Sequence, residues 1–381
     1  MGRFIFIKGK NPVLSKLELE SYFQSRCVKY SIVDDSDDFT IIDAKIDPKM
    51  IDSLGGTLKI AELITECEDI TPEAMKDVEK MISARVFGLS VYAEKREHGI
   101  YKLVGKTLKE NLRENGVKAK YLGFSISRRP QMSNVELIKR KILEESVEVV
   151  VCYSDRFYIG VTRALHNPFE YQKRDMERPE QRPIFSIPPR LANILINLSG
   201  AKPGDLLLDP FCGIGTILQE AALRGMRIAG IDKDPSCVEA SKINLHWLSE
   251  EYKLEIDDGM IGFGDATRLS DNFLKDSVDA IATEPYLGPP LRGSQRENEV
   301  RKIFRQLEPM YAKSLRAMGR ILKKGKRVAI ISPCIRMHKG KAAHFEFQRL
   351  AKAAGFKIIE SVIDAEKRHV TQREIFIIEK R

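Results

Sequence analysis

The chain has 381 residues, 43% of them hydrophobic and 31% charged, and carries a formal net charge of +9. Its length predicts two or three domains, and its composition is that of a soluble globular protein, excluding a disordered or membrane-embedded one. No apolar run approaches the roughly 18 residues of a spanning helix, and no signal-peptide pattern opens the chain. The six cysteines (Cys27, Cys67, Cys152, Cys212, Cys237, Cys334) include no CxxC pair, and the six histidines include no HExxH motif. The expectation is a cytoplasmic protein with reduced thiols and no structural metal.

In chain order, RFIFIK at 3–8 reads as a strand and LSKLELESYF as a helix, with Ser15 and Glu18 spaced for a capping box. Short strands fit 28–33 and 38–43, IDPKMIDSLGG suggests a short helix closed by glycines, and LKIAELITE reads as a further strand or a strand–helix junction. A second small unit follows. VFGLSVYAE (86–94) alternates as a strand does, 104–116 reads as a helix, and Ser133 with Glu136 caps a helix predicted over 133–145. Strands at 147–153 and 156–165 are joined at Ser154-Asp155 as a hairpin. Between Arg85 and Lys141 there are 14 Lys and Arg against 5 Asp and Glu, an excess equal to that of the whole chain. Charge so localised points to a phosphate-facing surface, the alternative being a solvated lysine-rich face.

The stretch 166–183 is polar, holds three prolines and shows no apolar period, so it reads as a linker. Beyond it strands fit at 205–209, 226–232, 260–264, 278–283, 326–332, 356–364 and 373–379, with helices at 188–198, 215–224, 235–248, 294–320 and 342–354. Such alternation predicts an α/β, Rossmann-like doubly wound sheet that is mostly parallel. The last two strands leave no room for a helix between them, so they form an antiparallel pair at one edge.

Two strand ends carry chemistry. LLLDPFCGIGT (206–216) closes the first strand of this sheet and opens a helix; Gly213 and Gly215 permit close backbone approach, and the helix N-terminus offers free N–H groups. In a dinucleotide site the third glycine of GxGxxG would fall on Leu218, and Asp209 would repel a pyrophosphate. An acid there suits a cation such as the amino group of S-adenosylmethionine. Asp232, 23 residues beyond Asp209, ends the next strand where a carboxylate accepts ribose hydroxyls, and Asp265 ends the third, where it could take an adenine amine. Each aspartate could instead only cap the following turn or helix. Their occurrence at three successive strand ends favours a cofactor site of Asp209, Pro210, Gly213, Gly215, Asp232, Asp265 and Ala266.

The fourth strand ends in Thr283-Glu284-Pro285-Tyr286. The exocyclic amine of a nucleobase is a poor nucleophile because its lone pair is delocalised into the ring. A carboxylate and a carbonyl accepting its two hydrogens hold the nitrogen tetrahedral, a proline fixes the chain, and an aromatic stacks on the base. Glu284, Pro285 and Tyr286 are therefore the candidate catalytic residues.

DPFCGIGT, GIDKDP, GDAT and the acid–Pro–aromatic loop resemble the amino-methyltransferase class that modifies exocyclic nitrogens. RPIFSIPPRLANILINLSGAKPGD and YQKRDMERP resemble, more narrowly, the tRNA guanine-N2 methyltransferases that carry ferredoxin-like and THUMP domains. The resemblance spans essentially the whole chain. It implies a ferredoxin-like domain over 1–68, a THUMP RNA-binding domain over 69–165, a linker over 166–183 and a methyltransferase domain over 184–381. It also implies methylation of guanosine 10 of tRNA from S-adenosylmethionine, with a monomer as the default; Arg128 and Arg129 are the basic pair taken to meet RNA. One feature departs from the pattern. The usual loop is D/N-P-P-Y/F, and here it is E-P-Y, so either Glu284 replaces the acid or Thr283 stands in its place. An adenine-N6 methyltransferase and a non-catalytic THUMP RNA-binding protein are the competing readings.

Overall fold

The computed structural model describes residues 2–82, 86–94, 96–122, 130–182, 186–293, 295–365 and 369–381. They divide into two compact units, one of Met1–Lys16 and Cys27–Gln172, the other of Leu17–Arg26 and Lys173–Arg381. No helix among the described residues is long and apolar enough to cross a membrane. No group of three or more His, Cys, Asp or Glu among them is placed to hold a metal ion.

The first unit is one eight-stranded sheet. Its strands are β1 (Gly2–Lys8), β2 (Tyr30–Asp35), β3 (Phe39–Ala44), β4 (Thr57–Cys67), β5 (Val86–Tyr92), β6 (Lys120–Leu122), β7 (Glu148–Tyr153) and β8 (Phe157–Leu165). They lie in the order β2-β3-β1-β4-β8-β7-β5-β6. β5 pairs in parallel with β6 and β7. A short α2 (Lys76–Lys80) precedes β5, and the parallel arrangement needs crossovers, which contain α3 (Glu97–Glu114) and the short α4 (Asn134–Lys139) and α5 (Ile142–Glu145). The two small units of the sequence reading thus share a sheet, joined where β4 meets β8. Gly160 makes that pairing possible, since a Cβ on it would sit 2.3 Å from the Glu62 carbonyl oxygen.

One buried ionic group lies inside this sheet. Lys59 Nζ (β4) donates to Glu148 Oε1 (β7) at 2.5 Å and to the Met132 carbonyl at 2.9 Å. Ser90 and Thr162 hydroxyls donate to the same carboxylate at 2.5 and 2.6 Å. Lys59 is 2% exposed and Glu148 not at all. Every oxygen of the carboxylate is engaged, which is the condition for burying a charge without a large penalty.

Several boundaries differ from the sequence reading. Ser15 and Glu18 form no capping box: α1 (Pro12–Ser25) starts earlier, capped by Asn11 Oδ1 accepting from the Leu14 amide at 3.2 Å. Ser15 Oγ donates to the Asn11 and Gly56 carbonyls, while Glu18 accepts from Asn197. The Ser133–Glu136 capping box is present, but the helix breaks at Lys141 (φ +51°) into α4 and α5. α3 begins at Glu97 rather than 104. The stretch read as a linker contains α6 (Pro168–Met176). Its helical face is polar because it is polar partners that it meets: Arg174 binds Glu220 at 2.6 Å and is 7% exposed. An apolar-period search is blind to such a face.

The second unit holds β9 (Leu206–Asp209), β10 (Arg227–Asp232), β11 (Ile261–Phe263), β12 (Ala280–Thr283), β13 (Arg327–Arg336), β14 (Ala342–His344), β15 (Phe356–Asp364) and β16 (Thr371–Lys380). The order is β11-β10-β9-β12-β13-β16-β15, with β14 beside β13. Strands β9 to β13 are parallel, and β16 runs antiparallel to both neighbours. The connecting helices are α7 (Pro189–Leu198), α8 (Thr216–Leu223), α9 (Pro235–Tyr252), α10 (Glu297–Ile321) and α11 (Phe347–Ala353). Residues 342–344, predicted as the start of a helix, form β14 instead. Leu208, Ile231, Ile281, Ile330 and Phe376 of the sheet bury against Tyr311, Leu315 and Met318 of α10 in a single core. Strand order reverses between β9 and β12, the switch point at which open α/β sheets bind ligands.

Candidate active site

The glycine turn after β9 is built by its own backbone. Gly213 and Gly215 have φ of +52° and +85°, a region open to glycine at little cost. At Gly215 a Cβ would also meet Ser241 Oγ at 2.4 Å. The Cys212 amide donates to the Ile231 carbonyl and the Gly215 amide to the Cys212 carbonyl. α8 then begins at Thr216, whose hydroxyl accepts from the buried Arg178 at 2.6 Å; Arg178 also donates to Ser186.

The three aspartates sit along one edge of the sheet. Asp209 pairs in register with Gly230 and Asp232 with Phe263, so each acid stands two residues beyond the partner of the one before. Asp232 accepts from the Gly213 amide at 2.9 Å through Oδ2 and from the Asp234 amide at 2.9 Å through Oδ1. Asp265 is exposed and caps the short 3-10 turn that begins at Ala266, accepting from the Thr267 amide at 2.8 Å. That N–H bond holds its carboxyl below the usual range. Pro210 is buried in the turn.

Asp209 is 2% exposed, and burial pushes its carboxyl up to about 7. Hydrogen bonds from Thr283 Oγ1 (2.6 Å) and the Phe211 amide (3.1 Å) oppose that rise, while the nearby Asp232 and Glu284 charges add to it. Burial likewise pushes up the thiol of Cys212 beside it.

Thr283, at the end of β12, is fully buried and donates to Asp209. Its hydroxyl is engaged on that carboxylate, whereas the side chain of Glu284 turns to a different partner. The Glu284 carboxylate is gripped by the Arg373 guanidinium of β16, Nε to Oε1 at 2.6 Å and Nη2 to Oε2 at 3.3 Å. Pro285 is buried, whereas Tyr286 is 47% exposed, an aromatic face presented to solvent. Behind the loop the Tyr311 hydroxyl donates to the Ile331 carbonyl at 3.3 Å and lies 3.5 Å from the Tyr286 carbonyl.

The geometry therefore brings Asp209, Gly213, Gly215 and Asp232 into one turn, with Asp265 at the adjoining strand end, and ties it to the acceptor loop through the Asp209–Thr283 bond. Arg128 and Arg129, the basic pair singled out from sequence, lie outside the described residues. Sequence reasoning missed Arg373, Arg178 and Tyr311. None of the three carried a distinct signal, Arg373 lying beside Glu374 in the polar opening of TQREIFIIEK.

A parallel sheet in this order, with a glycine turn after its first strand and acids at three strand ends, defines a Rossmann-like S-adenosylmethionine-dependent methyltransferase. Residues 178–350 match the family model described as an RMKL-like methyltransferase domain. The chain is 29% identical over 318 residues, 80% of its length and 83% of the relative's, to a tRNA (guanine(10)-N2)-dimethyltransferase of Methanothermobacter thermautotrophicus. A tRNA (guanine(10)-N2)-dimethyltransferase of Pyrococcus abyssi is 32% identical over 205 residues, covering 54% of this chain and 53% of that one. In fold the chain is similar to the crystal structure of TrmN from Thermus thermophilus, with a TM-score of 0.55 and 20% identity over the full length of both. A probable tRNA (guanine(10)-N2)-dimethyltransferase of Methanothermococcus thermolithotrophicus is 33% identical over 121 residues, 31% of this chain and 70% of that one, and the chain belongs to this tRNA guanine-N2 methyltransferase family.

Proposed function

We propose that this protein methylates the exocyclic N2 amine of guanosine 10 in tRNA, using S-adenosylmethionine. The observation that carries the reading is the acid–Pro–aromatic loop held against the glycine turn by the bond from Thr283 to Asp209. The position on the tRNA is taken from the names of the relatives.

The donor set fits the cofactor. Asp209 retains one oxygen, Oδ2, beyond those bonds, to face an ammonium group. Asp232 uses one acceptor site on each oxygen, leaving one on each for ribose hydroxyls. Asp265 and Ala266 frame the adenine end, and Pro210, Gly213 and Gly215 bring the backbone close. When bound, the cofactor would supply an electrophilic methyl on cationic sulfur, and the amine nitrogen that takes it would pass one proton to water. Glu284 and a loop carbonyl accept the amine hydrogens and turn the nitrogen lone pair out of conjugation. Pro285 fixes the carboxylate's approach, and Tyr286 stacks on the base, worth about 1–3 kcal/mol. The N2 amine lies on the minor-groove edge of a paired guanine, so the base must leave its stack, at a cost of a few kcal/mol.

The first unit supplies RNA contact in this reading, as a ferredoxin-like domain over 1–68 and a THUMP domain over 69–165, in a cytoplasmic enzyme. Lys102, Lys106, Lys109 and Arg113 of α3 are all exposed at spacings of three and four, a basic stripe along one helix face. Such a stripe suits a phosphate backbone.

Incubating the protein with unmodified tRNA and labelled cofactor, then mapping nucleosides by mass spectrometry, tests the reading. N2-methylated guanosine at position 10 supports it; N6-methyladenosine, or no transfer, refutes it.

Asp209 adds a pH dependence. The raised carboxyl must lose its proton to attract a cation, so affinity for S-adenosylmethionine is expected to be flat above about pH 7 and to weaken below it. The limiting slope is about tenfold per pH unit. Binding should release a proton near neutrality, measurable by calorimetry in buffers of differing ionisation enthalpy. In the unliganded protein the sign is opposite. The raised carboxyl contributes stability that is fully present below its ordinary value of 3.8 and lost as pH rises through about 7. A cofactor affinity that does not change between pH 5 and 8 would remove Asp209 from the site.

A further inference from the structure

We infer that Arg373 is a positioning residue for methyl transfer: its guanidinium fork sets the orientation of the Glu284 carboxylate in an acceptor loop that has one proline fewer than the family's usual form. The inference rests on Glu284 being the residue that holds the base amine.

The loop departs from D-P-P-Y in two ways, and both loosen the acid. Glutamate has one more rotatable bond than aspartate, and the loss of a proline removes one fixed φ. Something else must hold the carboxylate. Arg373 does so with two parallel N–H···O bonds of 2.6 and 3.3 Å, the geometry that fixes a carboxylate in plane as well as in place. The two side chains are 19% and 13% exposed, so the pair is shielded from the screening that makes surface ion pairs weak.

Topology makes the contact specific. Glu284 follows β12 and Arg373 lies in β16, with β13 between them, so the guanidinium reaches across one strand to the loop. Strand register fixes where it starts: Arg373 pairs with Pro333 on one side and Asp364 on the other. The fork occupies one acceptor site on each oxygen and leaves one on each for an amine N–H. It also sets a positive charge against Glu284, which with Asp232 is one of the two carboxylates whose charges act on Asp209.

The test compares Arg373→Ala and Arg373→Lys with Glu284→Ala in the full-length protein, using unmodified tRNA and S-adenosylmethionine. Variants are first shown to bind the cofactor by calorimetry, which establishes a folded second unit. Arg373→Ala is expected to lower kcat about 100-fold, the scale of an ångström of misplacement, with KM for tRNA and cofactor affinity unchanged within about twofold. Millimolar guanidinium should restore part of the lost rate. In a Glu284→Ala background the same substitution should cost nothing further. Should Arg373→Ala fail to bind cofactor, Arg373→Lys carries the test, because it keeps the charge, loses the fork and should show an intermediate loss confined to kcat. Wild-type kcat in either arginine variant, a loss confined to KM, or losses that multiply in the double variant overturn the positioning role. Full transfer by Glu284→Ala alone would instead overturn the underlying assignment of the acid.

Discussion

Replacing Glu284 with alanine is expected to lower methyl transfer about 10²–10³-fold, the range for removing one preorganised partner of a reacting group, while cofactor affinity stays within about twofold. The separation follows from what the side chain touches. Glu284 bonds to Arg373 across β13, whereas the glycine turn is held by Asp232 to Gly213 and by Thr283 to Asp209. Removing the carboxylate leaves the turn intact and lifts a like charge from Asp209. Glu284→Gln keeps the shape and one good acceptor, so it should fall between wild type and alanine. Single-turnover transfer and calorimetric cofactor binding together decide the matter; a full rate in Glu284→Ala would exclude the residue from the acceptor site.

The largest stability effect belongs to the other unit. Lys59→Met is expected to destabilise it by about 3–5 kcal/mol, because Glu148 would be left charged and buried with only hydroxyl donors. The loss is larger than the worth of the pair itself, since breaking one side strands the other. Replacing both residues by apolar ones of similar size should recover much of it. Recovery stays incomplete because the Met132 carbonyl loses the lysine's N–H, and the Ser90 and Thr162 hydroxyls their acceptor. Urea unfolding followed by circular dichroism reads this directly. Coincident curves for wild type and Lys59→Met would mean that the pair contributes nothing.

The second unit was largely legible in the sequence, and for a physical reason. Parallel strands buried on both faces appear as short apolar runs, as in LLLD, which ends in Asp209, and AIAT, which Glu284 follows. Turn glycines 213 and 215 were legible because positive φ leaves few other choices. Polar segments that fold against polar partners were not. α6 carries Arg174 into a buried bond with Glu220, and nothing in QKRDMERP distinguishes that from a solvated linker. Thr283 and Glu284 could not be told apart for a similar reason, since they are neighbours in sequence and only their partners, Asp209 and Arg373, distinguish them. Those partners lie 74 and 89 residues away. Long-range pairing of single residues leaves no periodic trace.

β16 follows every other strand of its sheet in the chain, yet it lies between β13 and β15 rather than at the margin. A nascent chain can therefore assemble the glycine turn and its three aspartates while residues 371–380 are still inside the ribosome. Until they emerge, Glu284 has no counter-ion and β15 has no neighbour to join it to the sheet. The residues of the glycine turn and its strand ends are thus made well before the arginine that grips Glu284, so the two sides of this strand edge are completed in sequence rather than together.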